Sequence, residues 1–278
     1  MLIVAALRWA DERASVHPPT GALDAGPLAG GADAADSCAL EHALLLAKAY
    51  GGRCVAVTVG PAAADEMLRE ALARGASYAL RVSGPDHDDE ATARSLAEAL
   101  TRRLGRPDIV VCGDRPADRG TASTPAFLAA FLSAAQACGL LELSAAGASL
   151  HAVRRLDNGR RERLEVPLPA VCSVEPGGVR PRRASLPAEL AARTAEIACT
   201  RVEGPPPRVR AGAVRPYRPR PMVCPPPEGH DPLERVLAIT SAYQERIPPR
   251  LVVPPTPTAA ADELLAYLRE HAYVKEHE

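Results

Sequence analysis

One loop, residues 113–125, collects side chains that suit the binding of a phosphate group. It follows an apolar run that predicts a strand, and open α/β sheets bind ligands at the carboxyl ends of their strands. Thr121, Ser123 and Thr124 supply hydroxyl donors beside the first N–H groups of a predicted helix, where an anion is stabilised. The glycines of the loop let the backbone approach a ligand closely. The loop therefore predicts either a phosphate site or a capped surface loop without a ligand.

The helix after this loop is predicted to begin with Thr124 as its N-cap and Pro125 in its first turn. It contains Phe127, Leu128 and Phe131. The chain has neither a G-x-G-x-x-G loop nor a Walker sequence with its lysine, so the two commonest nucleotide-binding loops are excluded.

No constellation of residues in the sequence indicates bond-making chemistry. Ser/His/Asp spacings, H-E-x-x-H and G-x-S-x-G are absent. His42 and His151 are interpreted as structural residues, and the paired Asp88 and Asp89 as a helix cap. The seven cysteines include no C-x-x-C pair and lie mostly in apolar runs, which favours free thiols over zinc, iron–sulfur or disulfide sites. This pattern favours a carrier or binding subunit over a hydrolase.

Alternating strand and helix patterns precede the loop and would position it. Apolar or β-branched runs predict strands at residues 2–7, 54–59, 78–82 and 108–112. Apolar residues three and four apart predict helices at about residues 40–47, 64–71 and 90–104. Asp36 or Ser37 is the expected cap of the first helix. Repeated units of this length predict a doubly wound, mostly parallel α/β sheet with helices on both faces.

The rhythm changes after about residue 140. Asn158-Gly159 between two strand-like runs is a strong signal for a β-hairpin, and residues 168–174 predict another buried strand. Residues 204–257 hold 15 of the 28 prolines and predict an extended arm. One helix is expected to start at Asp231, and another spans about residues 259–271. We therefore expect an α/β domain over residues 1–193 and a Pro-rich arm with C-terminal helices over residues 194–278.

The charge balance excludes some classes of partner. Lys and Arg number 33 and Asp and Glu number 34, which argues against binding to nucleic acid or an anionic membrane. No run of about 18 apolar residues occurs, and the first apolar stretch is too short for a signal peptide. We therefore expect a cytoplasmic protein without membrane insertion. The arginine clusters are interpreted as solvated surface, with an acidic partner protein as the alternative.

Several segments, taken in order, resemble the β subunit of the electron transfer flavoproteins. The matching patterns are V-x-V-K-x-V-x-D at residues 4–11, N-P-F-D-x-x-A-L-E-E-A-L at 33–44, V-x-V-x-x-G-P at 55–61, L-R-E-A-L-A-M-G-A at 68–76, D-L-V-L-x-G-x-Q-A-x-D-x-D-T-G-Q from 108 through 121, L-P-A-V at 168–171 and P-R-Y-x-S-L-P at 181–187. The resemblance covers roughly residues 2–193. The Pro-rich tail and closing helix indicate a divergent branch, for which the β-like chains of mycofactocin redox systems are the candidate.

The resemblance implies a Rossmann-like fold of the adenine nucleotide α-hydrolase type, and the sequence pattern adds the β-hairpin and the extended Pro-rich C-terminal arm. It implies an electron carrier subunit, not an enzyme, in a heterodimer with a larger α subunit that holds most of a FAD. Electrons would pass from a partner dehydrogenase to a quinone-linked acceptor. In typical members the β subunit binds AMP, and in bifurcating members a second FAD occupies that region.

Site residues follow from the resemblance by position. The implied cofactor-binding residues are Ala5, Asp33, Val59, Gly113, Arg115, Asp118, Arg119, Gly120, Thr121, Ser123 and Thr124. The implied partner-recognition residues are Gly178, Arg180, Arg182 and Leu186, and Glu162 stands at a frequently acidic position after the hairpin.

This sequence departs from the family pattern at several of these positions. Asp33 replaces the usual Asn. A carboxylate near a phosphate is unfavourable, because two like charges about 4 Å apart repel by about 4 kcal/mol at an intermediate dielectric. Arg115 or Arg119 would offset that repulsion of a phosphate. The loop also lacks its usual Gln, Asp and Gly residues. Gly178 and Arg180 stand where the family has a leucine and an acidic residue, which indicates a changed partner dehydrogenase.

Two other classes of function stay open from the sequence. An adenine-nucleotide hydrolase or ligase of a related α/β fold would need a phosphate-binding lysine or metal-binding carboxylates in the loop. An adenine-nucleotide-binding regulatory module would bind AMP tightly without a flavin partner.

Overall fold

The computed structural model describes residues 1–11, 15–18, 20–24, 30–204, 206–207, 231–240, 251–271 and 273–274. The chain divides into two units, Met1–Arg218 and Pro219–Glu278, and each is described by itself. Cys224 and most of the predicted Pro-rich arm lie outside the described residues.

A nine-stranded sheet forms the centre of the first unit. The chain contains strands β1 (Leu2–Ala6), β2 (Ser15–Val16), β3 (Leu23–Asp24), β4 (Arg53–Val59), β5 (Tyr78–Ser83), β6 (Ile109–Gly113), β7 (Ala135–Ala146), β8 (Ser149–Arg155), β9 (Arg161–Pro167), β10 (Ala170–Val174) and β11 (Ala198–Arg201). The order in the large sheet is β11-β5-β4-β1-β6-β10-β7-β8-β9, and β2 pairs with β3 in a separate antiparallel ribbon. The strands from β11 to β7 pair in parallel, whereas β8 and β9 are antiparallel. The predicted doubly wound, mostly parallel α/β fold is confirmed.

Helices cover both faces of the parallel strands. They are α1 (Ala34–Ala49), α2 (Asp65–Ala73), α3 (Asp89–Arg103), α4 (Thr124–Leu132) and α5 (Leu186–Arg193). Successive residues of a strand point to opposite faces, so Ile3 packs in the layer with α1 and α2 while Val4 packs in the layer with α3 and α4. Because these strands are buried on both faces, their sequences are continuous apolar runs.

Two predicted helix caps lie elsewhere. Asp33 is the N-cap of α1 and its side chain accepts a hydrogen bond from the Asp36 N–H, so a cap at Asp36 or Ser37 was wrong. The carboxylate of Asp36 instead accepts from two backbone N–H groups outside the helix. Ser123, not Thr124, precedes α4, and its hydroxyl makes no capping bond. Asp88 caps α3 as predicted, accepting from the Ala91 N–H.

The strands β7, β8 and β9 form the antiparallel extension of the sheet. The predicted hairpin is present, with Asn158 and Gly159 both at positive φ between β8 and β9. Glu162 lies in this hairpin and accepts a hydrogen bond of 2.5 Å from the Arg154 Nε. The sequence pattern missed β7, which carries a register shift between Leu140 and Glu142.

The sheet uses residues beyond position 193. β11 follows α5 and pairs in parallel with β5, so it forms one edge of the sheet while β9 forms the other. The strand β11 was not predicted, because its apolar and polar residues alternate only partly. In the second unit, α6 (Pro232–Thr240) and α7 (Pro257–Glu270) correspond to the two helices predicted there.

The hydroxyl of Tyr50, at the end of α1, connects the two strands of the β7–β8 turn. It donates to the Ser149 carbonyl oxygen at 2.5 Å and accepts from the Ala146 N–H at 3.2 Å. We expect Tyr50→Phe to lower the free energy of unfolding by about 1–2 kcal/mol, because the backbone groups lose a half-buried partner. Urea unfolding measures this, with the exposed Tyr78→Phe as control. Equal unfolding midpoints for the two variants would contradict the role of this hydroxyl.

Candidate functional site

A narrow crevice opens at the carboxyl ends of β1, β4 and β6, between the first turns of α3 and α4. The chain places β4 and β5 on one side of β1 and then crosses to β6 on the other side. Ligands of open α/β sheets bind at such a reversal of strand order. The predicted phosphate loop, residues 113–125, forms one wall of this crevice.

The structure brings some of the predicted cofactor residues together and separates others. Val59, Gly113, Arg115, Arg119 and Thr124 line the crevice. Ala5 does not reach it, because consecutive strand residues face opposite sides and Ala5 is fully buried in the layer with α1. The neighbouring Ala6 lines the crevice in its place.

Asp33, Asp118 and Gly120 have other contacts. The Asp33 carboxylate is used as the cap of α1. Asp118 accepts hydrogen bonds from the guanidinium of Arg8. Gly120 has a φ of 64°, a conformation that favours glycine at this turn of the loop.

Arg8 and Arg119 extend across the mouth of the crevice and are held by carboxylates. Arg8 forms ion pairs of 3.2 Å with Asp86 and 2.6 Å with Asp118. Arg119 donates to the Asp86 carbonyl oxygen and lies 3.8 Å from Asp89 and 3.9 Å from Asp118. These pairs join the loops that follow β1, β5 and β6.

Asp89 receives the hydroxyl donors that the sequence assigned to a phosphate. Its Oδ2 accepts a 2.5 Å hydrogen bond from the Ser123 hydroxyl, and the Thr121 side chain and the Ser123 N–H also favour the charged form of this carboxylate. Burial alone would raise the pKa of Asp89, but these hydrogen bonds and Arg119 hold it below its ordinary value. Asp89 is therefore ionised at neutral pH.

Asp36 lies at the floor of the crevice and is 3% exposed. Its carboxylate accepts from the Arg8 N–H at 2.8 Å and from the Gly113 N–H at 3.1 Å, which ties the ends of β1 and β6 together. Burial, and then the negative charge of Asp33, raise its pKa to about 7. Burial and Glu175 raise the pKa of Asp114, which also lines the crevice.

The crevice has little free space. Its cavity volume is about 50 Å³. A buried water needs about 10–15 Å³ by this measure, whereas drug-sized ligands occupy pockets of about 300–1,000 Å³. The crevice therefore has room for a few waters and not for a nucleotide.

Four residues of this network were missed as site residues by sequence reasoning: Arg8, Asp36, Asp86 and Asp89. A usable signal existed for Arg8, which directly follows the first predicted strand at its carboxyl end. The sequence around Asp36 and Asp89 indicated only a helix start. Their role in the site depends on hydroxyl and N–H groups that are far away in the chain.

Residues 27–203 match the family described as "Electron transfer flavoprotein domain". The chain belongs to this family. The match includes the strands from β4 to β11, which form most of the sheet, and the helices α1 to α5.

Three relatives of this electron transfer flavoprotein domain illustrate the similarity. The electron transfer flavoprotein subunit beta of Methylophilus methylotrophus is 32% identical over 158 residues, 54% of this chain and 59% of the relative. Protein FixA of Rhizobium meliloti (strain 1021) is 32% identical over 189 residues, 64% of each chain. The acryloyl-CoA reductase electron transfer subunit gamma of Anaerotignum propionicum is 29% identical over 173 residues, 60% of this chain and 64% of the relative. The matched segments span less than two thirds of these relatives.

The segment predicted to recognise a partner lies between β10 and α5 of the electron transfer flavoprotein domain. Arg182 donates from its backbone N–H and from two guanidinium nitrogens to Glu41 of α1, at 2.8–3.0 Å. Burial would raise the pKa of Glu41, but the hydrogen bonds from Arg182 hold it below its ordinary value. Arg180 is exposed, and Leu186 is 67% exposed at the start of α5. Arg182 is thus an anchor of the segment, while Arg180 and Leu186 face solvent.

Proposed function

We propose that this chain is the β-like subunit of an electron-transfer flavoprotein. It pairs with an FAD-bearing α subunit and relays electrons from a dehydrogenase to a quinone-linked acceptor. The observation that carries the proposal is the family match over residues 27–203, which includes most of the strands of the sheet and all the helices packed on it. The names of the relatives, two of which specify electron transfer subunits, support the same role.

The surface of the chain supports a role in assembly. On α5, Leu186 and Leu190 lie four residues apart and are 67% and 53% exposed. On α6, Leu233, Val236 and Ile239 are each more than half exposed. Contiguous exposed apolar patches mark protein–protein contact sites, whereas single exposed apolar side chains are ordinary.

The flavin belongs to the α partner in this proposal. FAD would be held mainly by that subunit, and this chain would complete the flavin site by docking against it. Membership of the mycofactocin-linked branch depends on the Pro-rich arm and stays a prediction. The cytoplasm is the proposed compartment. None of the helices in the described part of the chain is long and apolar enough to cross a bilayer.

Co-expression of the full chain with a candidate FAD-bearing α subunit tests the pairing. We expect a heterodimer that co-purifies with about one FAD, and a change in the flavin absorption spectrum when this chain is added to the α subunit alone. Size-exclusion chromatography and absorbance spectra measure both. A monomer that leaves the flavin spectrum of every offered α subunit unchanged would contradict the proposal.

The alternative of a nucleotide hydrolase or ligase finds no support at the crevice. Residues 113–125 contain no lysine that would hold a phosphate. Among the described residues, no group of three His, Cys, Asp or Glu side chains is placed to hold a metal ion. An ATP turnover assay on the purified chain separates this alternative from electron transfer.

A further inference from the structure

We propose that the carboxylate of Asp89 occupies the position of a ligand phosphate in the crevice, so that this chain binds no adenylate there. This property of the crevice belongs to the chain alone and does not depend on the proposed pairing with a flavin subunit.

The hydrogen-bond donors at the start of α4 point to an internal anion. A phosphate at the start of α4 would use the Ser123 N–H and the hydroxyls of Thr121 and Ser123, since helix N-termini bind anions through such groups. The Ser123 hydroxyl donates to the Asp89 carboxylate at 2.5 Å instead, and the Ser123 N–H and the Thr121 side chain also lower the pKa of this carboxylate. Arg119 lies 3.8 Å from the Oδ1 of the same residue. An internal anion thus already holds the contacts that an external one would need.

The position of Asp89 in the chain places its carboxylate at a helix start. It is the first residue of α3, directly after the N-cap Asp88, and α3 packs against α4. Its side chain is 8% exposed. A negative charge is stabilised at a helix N-terminus, and this carboxylate lies at the starts of two helices. No external anion reaches these helix starts without displacing it.

The charge around the crevice is unfavourable for a further anion. The groups that line it, together with those paired to Arg8, comprise three arginines and five carboxyl groups: Arg8, Arg115, Arg119, Asp36, Asp86, Asp89, Asp114 and Asp118. Even with Asp36 protonated, the carboxylates outnumber the arginines. A phosphate would meet a net negative charge at short range, where the repulsion between like charges is strong.

Removal of the internal anion tests the proposal. The full chain and its Asp89→Ala variant are titrated with AMP and with inorganic phosphate, and the melting temperature is recorded. The natural chain is expected to show no shift with either probe. The variant is expected to melt at a lower temperature and to regain about 3–5 °C at inorganic phosphate concentrations ten times its dissociation constant, because phosphate fills the position of the carboxylate. AMP should not exceed that rescue, because the crevice does not fit the rest of the nucleotide.

The control is Asp65→Ala, which removes a carboxylate paired at 2.6 Å with Arg81 away from the crevice. Neither probe should stabilise this control. If Asp89→Ala does not fold, Asp89→Ser, which is uncharged and smaller than aspartate, is titrated instead. Release of stoichiometric AMP from the denatured natural chain would overturn the proposal, and so would a folded Asp89 variant that neither probe stabilises. These readouts need no flavin partner, so they fail or succeed separately from the pairing experiment.

Discussion

The difference in unfolding free energy between the natural chain and Asp36→Asn is expected to fall as the pH rises from about 4 to 7. Asp36 is buried, and its pKa is raised to about 7 in the folded chain, whereas it is close to 3.9 when unfolded. Between these two values the folded chain binds more protons, so folding is favoured by acid in this window. The expected change is on the order of 4 kcal/mol, at 1.36 kcal/mol per pKa unit.

The sign follows from the raised pKa. The stabilising contribution of the proton on Asp36 is fully present below pH 4, is lost as the pH rises through 7, and does not change further above it. Denaturant unfolding of both proteins at pH 4, 5, 6, 7 and 8 measures the difference. His42, whose pKa burial lowers, titrates in both proteins and cancels in the comparison.

Asp65→Asn is the matched control, because it changes a carboxylate in an ion pair outside the crevice. A stability difference between the natural chain and Asp36→Asn that stays constant from pH 4 to 8 would show that Asp36 does not titrate in this range.

Gly178→Ala is expected to destabilise the first unit by about 2 kcal/mol or more, in the upper range of overpacked sites. A Cβ atom at residue 178 would lie 1.9 Å from the Leu141 carbonyl oxygen. That oxygen belongs to the backbone of β7 and cannot rotate away. The segment around residue 178 must therefore move. Cys38 then loses its hydrogen bonds with the backbone of Gly177 and Val179.

Gly31→Ala is the control for this substitution. Among the described residues, no atom beyond the chain neighbours lies within 4 Å of a Cβ at residue 31, and its backbone is not in the left-handed region. Thermal unfolding and limited proteolysis of the segment after β10 measure the effect. The same melting temperature for both variants would show that this segment tolerates displacement.

The parts of the fold that the sequence predicts are those whose chemistry is local. β1, β4 and β6 are buried on both faces, so each appears as an uninterrupted apolar run. β7 was missed because only part of one face is buried, around Leu140 and Leu143, and a register shift breaks the alternation between them. β11 was missed because its place is decided by pairing with β5, not by its own pattern.

The same distinction applies to the site. The loop at residues 113–125 and its helix start were predicted, because glycines, hydroxyls and a proline are local signals. The partners of that loop were not predicted. Arg8 and Asp118 are 110 residues apart, and Ser123 and Asp89 are 34 apart, so their contacts depend on the order of strands in the folded sheet. A network that replaces a ligand therefore becomes visible only after folding.

The strand β9 at the edge of the sheet has a consequence for the solubility of the chain. Its sequence, Arg-Glu-Arg-Leu-Glu-Val-Pro, carries four charged side chains and ends in Pro167, which has no N–H to offer to a neighbour. Charged residues and proline on an outer strand discourage uncontrolled stacking of sheets from different molecules. At this border the nine-stranded sheet is thus protected against fibre-like growth.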